Sequence, residues 1–153
     1  MANSVCEVLL TRSRLEKADD AAGTDAGAIV EFSGIVRRLE EGREIRGIEY
    51  EAHVAMAEHQ LRVIAQRATA TFGLDRVLIH HRYGFVAAGE ASLWLRVAAA
   101  RRAPAFDASK WIVDELKRRV PIWKRPRYTI DNSVAGIGDA GPGSTIPATV
   151  TAT

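Results

Sequence analysis

The sequence predicts an α+β protein with a largely antiparallel sheet and helices packed on it. Three observations carry that reading. Two long segments repeat apolar residues at helical spacing. Several short segments alternate, or run apolar, in the manner of strands. The two kinds of element then mix without the strict strand–helix alternation of a parallel α/β sheet. Composition sets the outer limits. A chain of 153 residues with 47% hydrophobic and 26% charged side chains can bury one sizeable core. The net charge of +2 argues against a general nucleic-acid coat, because the basic charge is local. Cys6 stands alone, which excludes an intrachain disulfide and points to a reducing compartment. No apolar run approaches the roughly 20 residues of a membrane span, and the start lacks the cationic, cleavable pattern of a signal peptide. These features predict a cytoplasmic protein.

In chain order, Val5–Thr11 is a short apolar run and a predicted strand. Residues 15–22 are charged and helix-tolerant, ended by Gly23-Thr24-Asp25. Residues 28–37, AIVEFSGIVR, form the clearest strand pattern. Val30, Phe32 and Val36 share one face and Ile29 and Ile35 the other, which suggests a central position. Gly34 leaves a gap for a close approach. Residues 39–44 carry Glu-Glu-Gly and read as a turn. Residues 46–52 read as the returning strand of a hairpin, with Ile48, Tyr50 and Ala52 inward and Glu49 and Glu51 outward.

Val54–Phe72 is the strongest helix pattern, with Val54, Ala57, Leu61, Ile64, Ala65, Ala68 and Phe72 on one stripe and Gly73 placed to end it. Arg76–Arg82 reads as a strand closed by Tyr83-Gly84, and Gly89-Glu90 as a turn. Residues 92–100 alternate, with Leu93, Leu95, Val97 and Ala99 on one face. Residues 107–119 form the last helix pattern. Ala108, Ile112, Leu116 and Val120 are its buried stripe, joined by Val113, and Lys110, Asp114, Lys117 and Arg118 its wet face. Asp114 precedes Lys117 and Arg118 at helical spacing, a favourable order for ion pairing. One domain over residues 1–132 is followed by residues 133–153, which lack Lys, Arg, Leu and any aromatic ring. That composition predicts a flexible tail.

The chemistry concentrates in LKRRVPIWKRPR, Leu116 to Arg127. Six cations, Lys117, Arg118, Arg119, Lys124, Arg125 and Arg127, occur there with no acid among them. Pro121 ends the helix, since it has no N–H and clashes with the preceding turn. Ile122 and Trp123 then anchor the turn, so Lys117 on the last helical turn and Lys124 beyond the break return to one place and form an anion pocket. A structural account stands beside this one, because a helix C-terminus favours cations in any case. Other chemistries lack their patterns. Ser33 has Glu31 where a nucleophile elbow needs Gly. His80 and His81 are adjacent on a strand and point to opposite faces, and His53 and His59 are poorly spaced, so no metal site is predicted. Arg37, Arg101 and Arg102 lie at strand ends, from which cations can converge on one anion. One like charge at about 7 Å, with an effective dielectric near 20, costs roughly 2.4 kcal/mol, enough to push a lysine toward neutrality and proton transfer.

These residues also carry a resemblance. GAIVEFSGIVR (27–37), YEAHVAMA (50–57), HRYG (81–84), Gly89-Glu90, RRAPAF (101–106) and LKRRVPIWKR (116–125) occur in the order and register of the large, catalytic subunit of molybdopterin synthase, the MoaE family. The resemblance covers about residues 5 to 127, and its Lys-x-x-x-Pro-x-Trp-Lys ending is the specific part. It implies the α/β hammerhead fold of that family and a sulfurtransferase with no cofactor of its own. The implied partner is a small ubiquitin-like sulfur carrier with a C-terminal Gly-Gly thiocarboxylate. The implied substrate is cyclic pyranopterin monophosphate, converted to the molybdopterin dithiolene of the molybdenum cofactor. The implied assembly is a homodimer within a heterotetramer, without nucleic acid or membrane. By the same resemblance Lys117 and Lys124 are catalytic, and Arg37, Arg101, Arg102 and Arg125 join the two lysines in binding substrate. The chain departs from the family pattern at Arg101, where His is usual, and at Pro126, where Glu is usual. Two rival classes stand beside the enzyme: a paralogue that binds the small subunit or another large subunit without turnover, and a nucleotide- or anion-binding module at the basic pocket.

Overall fold

The computed structural model describes residues 5–17 and 25–129. Among these the order is β1 (Val5–Thr11), β2 (Ala28–Ile35), β3 (Leu39–Glu40), β4 (Arg43–Ala52), α1 (Val54–Phe72), β5 (Arg76–Arg82), β6 (Gly84–Ala87), β7 (Ala91–Ala99), α2 (Arg102–Arg119) and β8 (Ile122–Tyr128). Four strands form one sheet in the order β1-β5-β7-β2, in which only β1 and β5 run parallel. In the second sheet β4 pairs antiparallel with β3, β6 and β8. The α+β architecture with largely antiparallel pairing is therefore as the sequence predicts. Residues 18–24 of the charged stretch and the whole 133–153 tail lie outside the described residues.

The core sits between the helices and the first sheet. Ala57, Leu61, Ile64, Ala65 and Ala68 of α1 are fully buried, as are Ala105, Ala108, Ile112 and Leu116 of α2. They belong to one apolar cluster with Val77 and Ile79 of β5 and Leu93, Leu95, Val97 and Ala99 of β7. Each large aliphatic side chain withdrawn from water in this way contributes roughly 1.5–3 kcal/mol. Helix α1 is capped at both ends. The His53 side chain accepts from the Met56 N–H, and Gly73, at φ 64°, takes the left-handed conformation that ends the helix without a Cβ penalty.

Three expectations change. Strand β2 is an edge strand, not a central one: it pairs with β7 alone, and Ile29 and Ile35 are 47% and 38% exposed. Alternation reports two faces and not how many neighbours a strand has. Nor do β2 and β4 form a hairpin. After Ile35 the chain exchanges backbone hydrogen bonds with the β6–β7 turn, Val36 to Glu90 and Gly89 to Val36, and leaves the first sheet. The hairpin is β3–β4, closed by Glu41 (φ 48°) and Gly42 (φ 77°), a pair of left-handed residues suited to a tight two-residue turn. Finally, α2 begins at Arg102, five residues earlier than its apolar periodicity shows. Pro104 falls in the first turn, where a missing N–H costs nothing.

Candidate functional site

The turn after α2 brings the two lysines together. Val120 ends the helix with its N–H still donating to Leu116, and Pro121 starts the extended segment. His53 N–H donates to the Pro121 carbonyl at 3.3 Å, tying the turn to the entry of α1. Ile122 is the buried anchor, whereas Trp123 is only half-buried. Strand β8 then runs antiparallel to β4, which sets Lys124 opposite Tyr50. Lys117, in the last turn of α2, is half-buried and not part of a fully wet face.

Lys124 is the buried cation of the site. Its side chain is 8% exposed, and its ammonium donates to Glu40 Oε1 at 3.4 Å. Burial pushes its pKa below the usual lysine value; Glu40 pushes it back up, and the positive charges of Arg37 and Lys117 push it down. The expected depression is therefore present, with burial ahead of like-charge repulsion as the cause. Arg37 and Lys117 thus add two positive charges near Lys124, and Glu40 a negative one, a balance that favours an anion.

A buried layer lies beside it. The Tyr50 phenol is pushed up by burial, lowered in part by the Ser92 hydroxyl and raised further by the Glu40 charge. It meets the His81 ring edge-on at 5.8 Å. His81 is fully buried, its Nδ1–H donates to the Arg82 carbonyl at 2.7 Å, and burial lowers its pKa to about 4, so it is neutral near pH 7. His80 points to the other face and packs on Trp94. Among the described residues no group of three His, Cys, Asp or Glu side chains is placed to hold a metal ion, and no helix is long and apolar enough to cross a membrane.

Three further cations of the basic stretch, Arg118, Arg119 and Arg125, have acidic partners. Arg118 and Arg119 turn back to the buried Glu115, at 3.1 and 2.6 Å. Asp114 pairs with Lys110 at 2.8 Å, not with Lys117 or Arg118 as the spacing suggests. Arg125 lies on the face of β8 opposite to Lys124 and pairs with Glu51 at 3.2 Å. Arg101 and Arg102 are exposed at the start of α2. At a rise of 1.5 Å per residue, Arg102 stands about 22 Å along the helix from Lys117. Of the predicted set, one copy of the chain thus gathers Arg37, Lys117 and Lys124, and does not bring Arg101, Arg102 or Arg125 to them. Glu40 and Tyr50 are members that sequence reasoning missed. Tyr50 carried a weak signal as an inward position on β4. Glu40, in a segment that reads as a turn, carried none.

Residues 10–119 match the family described as MoaE protein. The chain belongs to the MoaE family. The match includes Arg37, Glu40, Arg101, Arg102 and Lys117 and stops short of Lys124. The chain is 44% identical over 103 residues to the molybdopterin synthase catalytic subunit of Oryza sativa subsp. indica, covering 67% of this chain and 53% of that one. It is 41% identical over 101 residues to the protein of the same name from Thermoplasma volcanium, covering 66% and 74%. This MoaE-family chain thus spans about half the length of the plant relatives it matches. Its fold superposes on a solved molybdopterin synthase from Staphylococcus aureus with a TM-score of 0.73 at 26% identity, over 82% of this chain and 92% of the other.

Proposed function

We propose that this chain is the catalytic subunit of a molybdopterin synthase, working in the cytoplasm as a domain over residues 1–132. In this reading a small ubiquitin-like partner brings a thiocarboxylate on its C-terminal glycine. The chain directs that sulfur onto cyclic pyranopterin monophosphate, twice, through a half-sulfurated intermediate, to form the dithiolene. The observation that supports it most strongly is the return of Lys117 and Lys124 across the Pro121 break, beside Arg37, in a chain of this family.

The proposed division of labour follows the electrostatics. Arg37 offers a planar fork suited to phosphate. Lys117, half-open to solvent, carries the chemistry, and Lys124, buried and with its pKa lowered, supports it as a proton carrier. A bound phosphate offsets part of the cost of keeping these charges together. Arg101 and Arg102 cannot reach the same phosphate from within one copy, so their proposed role requires a second copy. This fits a homodimer with a small subunit at each end. Arg125 reaches ligand only by releasing Glu51.

The test is reconstitution. The folded protein, mixed with a thiocarboxylated small subunit and the cyclic pterin, is expected to yield the dithiolene product. Partner binding without product would favour the non-catalytic paralogue, and binding of nucleotides in preference to the pterin would favour the anion module.

A further inference from the structure

We propose that Glu40 is a positioning residue of the lysine pocket, holding the Lys124 ammonium in place until an incoming anion takes over that contact. The inference rests on the function proposed above but is carried by separate geometry. Glu40 ends β3, immediately before the tight Glu41-Gly42 turn, so the hairpin fixes where its carboxylate stands. It meets Lys124 across 84 residues of chain, at 3.4 Å. Its side chain is 22% exposed against 8% for Lys124, so the acid forms the solvent side of the pair. An anion arriving from solvent meets Glu40 before it meets the buried ammonium.

The groups facing Lys124 come from β3, β4, α2 and the link before β3. Glu40 on β3 favours the protonated form. Arg37, in the link before β3, and Lys117 on α2 oppose it. Tyr50 on β4, opposite in register, is neutral near pH 7, since its phenol is raised above the usual value. A buried ammonium with two cations for neighbours loses its proton readily unless an acid holds it. Glu40 thereby helps to set both the position and the charge of Lys124. An anionic substrate must separate or share the pair, which gives the pocket a built-in preference for ligands carrying strong negative charge.

The experiment uses the full chain, which contains four lysines, Lys17, Lys110, Lys117 and Lys124. Lysine labelled with 13C at Cε resolves each titration by NMR without any turnover. In Glu40→Gln the Lys124 midpoint is expected to fall by about one to three pH units, the range for losing an opposite charge at this distance. Lys17 and Lys110 should not move. Glu40→Asp keeps the charge and should bring the midpoint back toward the wild-type value. In the sulfur-transfer assay, the limb of the pH–rate profile that reports Lys124 should move in the same direction as the NMR midpoint. An unchanged Lys124 titration in Glu40→Gln overturns the proposal, and so does an Asp variant displaced as far as Gln. The titration is read on the protein alone, so a shift without sulfur transfer counts against the functional reading and leaves the role of Glu40 standing.

Discussion

A cationic pair flanks each end of helix α2, Arg101 and Arg102 at its start and Lys117 with Lys124 of β8 at its end, and the two pairs could hardly be placed more differently. Arg101 and Arg102 are adjacent, exposed and at the N-terminus, where the helix dipole is positive and no side chain caps the helix. Cations there are unfavourable by roughly 0.3–1 kcal/mol each. Lys117 and Lys124 are seven positions apart in sequence, meet across a proline break at the C-terminus, and share their surroundings with a carboxylate. A lysine at a helix C-terminus has a structural justification; an arginine pair at an N-terminus has none. The difference teaches that the exposed pair owes its place to no contact that stabilises the helix, while the lysine pair is brought into one environment by tertiary contacts.

Three perturbations break or sharpen that contrast, from the largest expected effect to the smallest. Removing Lys117 by Lys117→Ala should lower turnover by roughly 10²- to 10⁴-fold, the usual worth of a positioned proton-transfer group. The melting temperature should hardly move, because the side chain is only half-buried. A folded variant with near-normal turnover would return the basic stretch to a mere helix-end preference.

Acid should damage the buried layer behind Lys124 and spare the arginine pair. His81 has its folded pKa lowered from 6.5 to about 4, so the unfolded chain binds a proton that the folded chain refuses. Its contribution to stability is fully present above pH 6.5 and is lost as pH falls toward 4. At 1.36 kcal/mol per pKa unit, the loss approaches about 3 kcal/mol. Urea unfolding at pH 7 and pH 4.5 should show this slope, and His81→Gln should flatten it. An equal slope in the variant would place the acid sensitivity elsewhere.

The mildest perturbation is at the exposed pair. Arg101→Ala together with Arg102→Ala should leave stability unchanged or raise it by about 0.5 kcal/mol, by relieving the dipole. The pterin KM should rise about tenfold with kcat little altered, the loss of one binding contact. Mixing this double variant with Lys117→Ala should restore part of the activity if the arginines serve a second copy. No recovery in the mixture would confine each site to its own chain.

Local signals in the sequence proved strong wherever the physics was local. The bounds of α1, its Gly73 terminator, strands β1 and β5, and the break at Pro121 all follow from periodicity, backbone freedom and ring sterics within a few residues. The closeness of the two lysines was legible for the same reason: both belong to one short segment whose break and apolar anchor are written in LKRRVPIWKR. What could not be read depends on which strand lies beside which. The pattern of β2 showed two faces but not its edge position. Glu40 looked like a turn residue because its meaning lies in Lys124, 84 residues away. Arg101 and Arg102 looked ready to converge with Lys117, because sequence shows a cation at each end of an element and not the length of the helix between them. Ion pairing, burial and sheet order are set by distances through space, and a linear chain encodes these only through the packing of the whole fold.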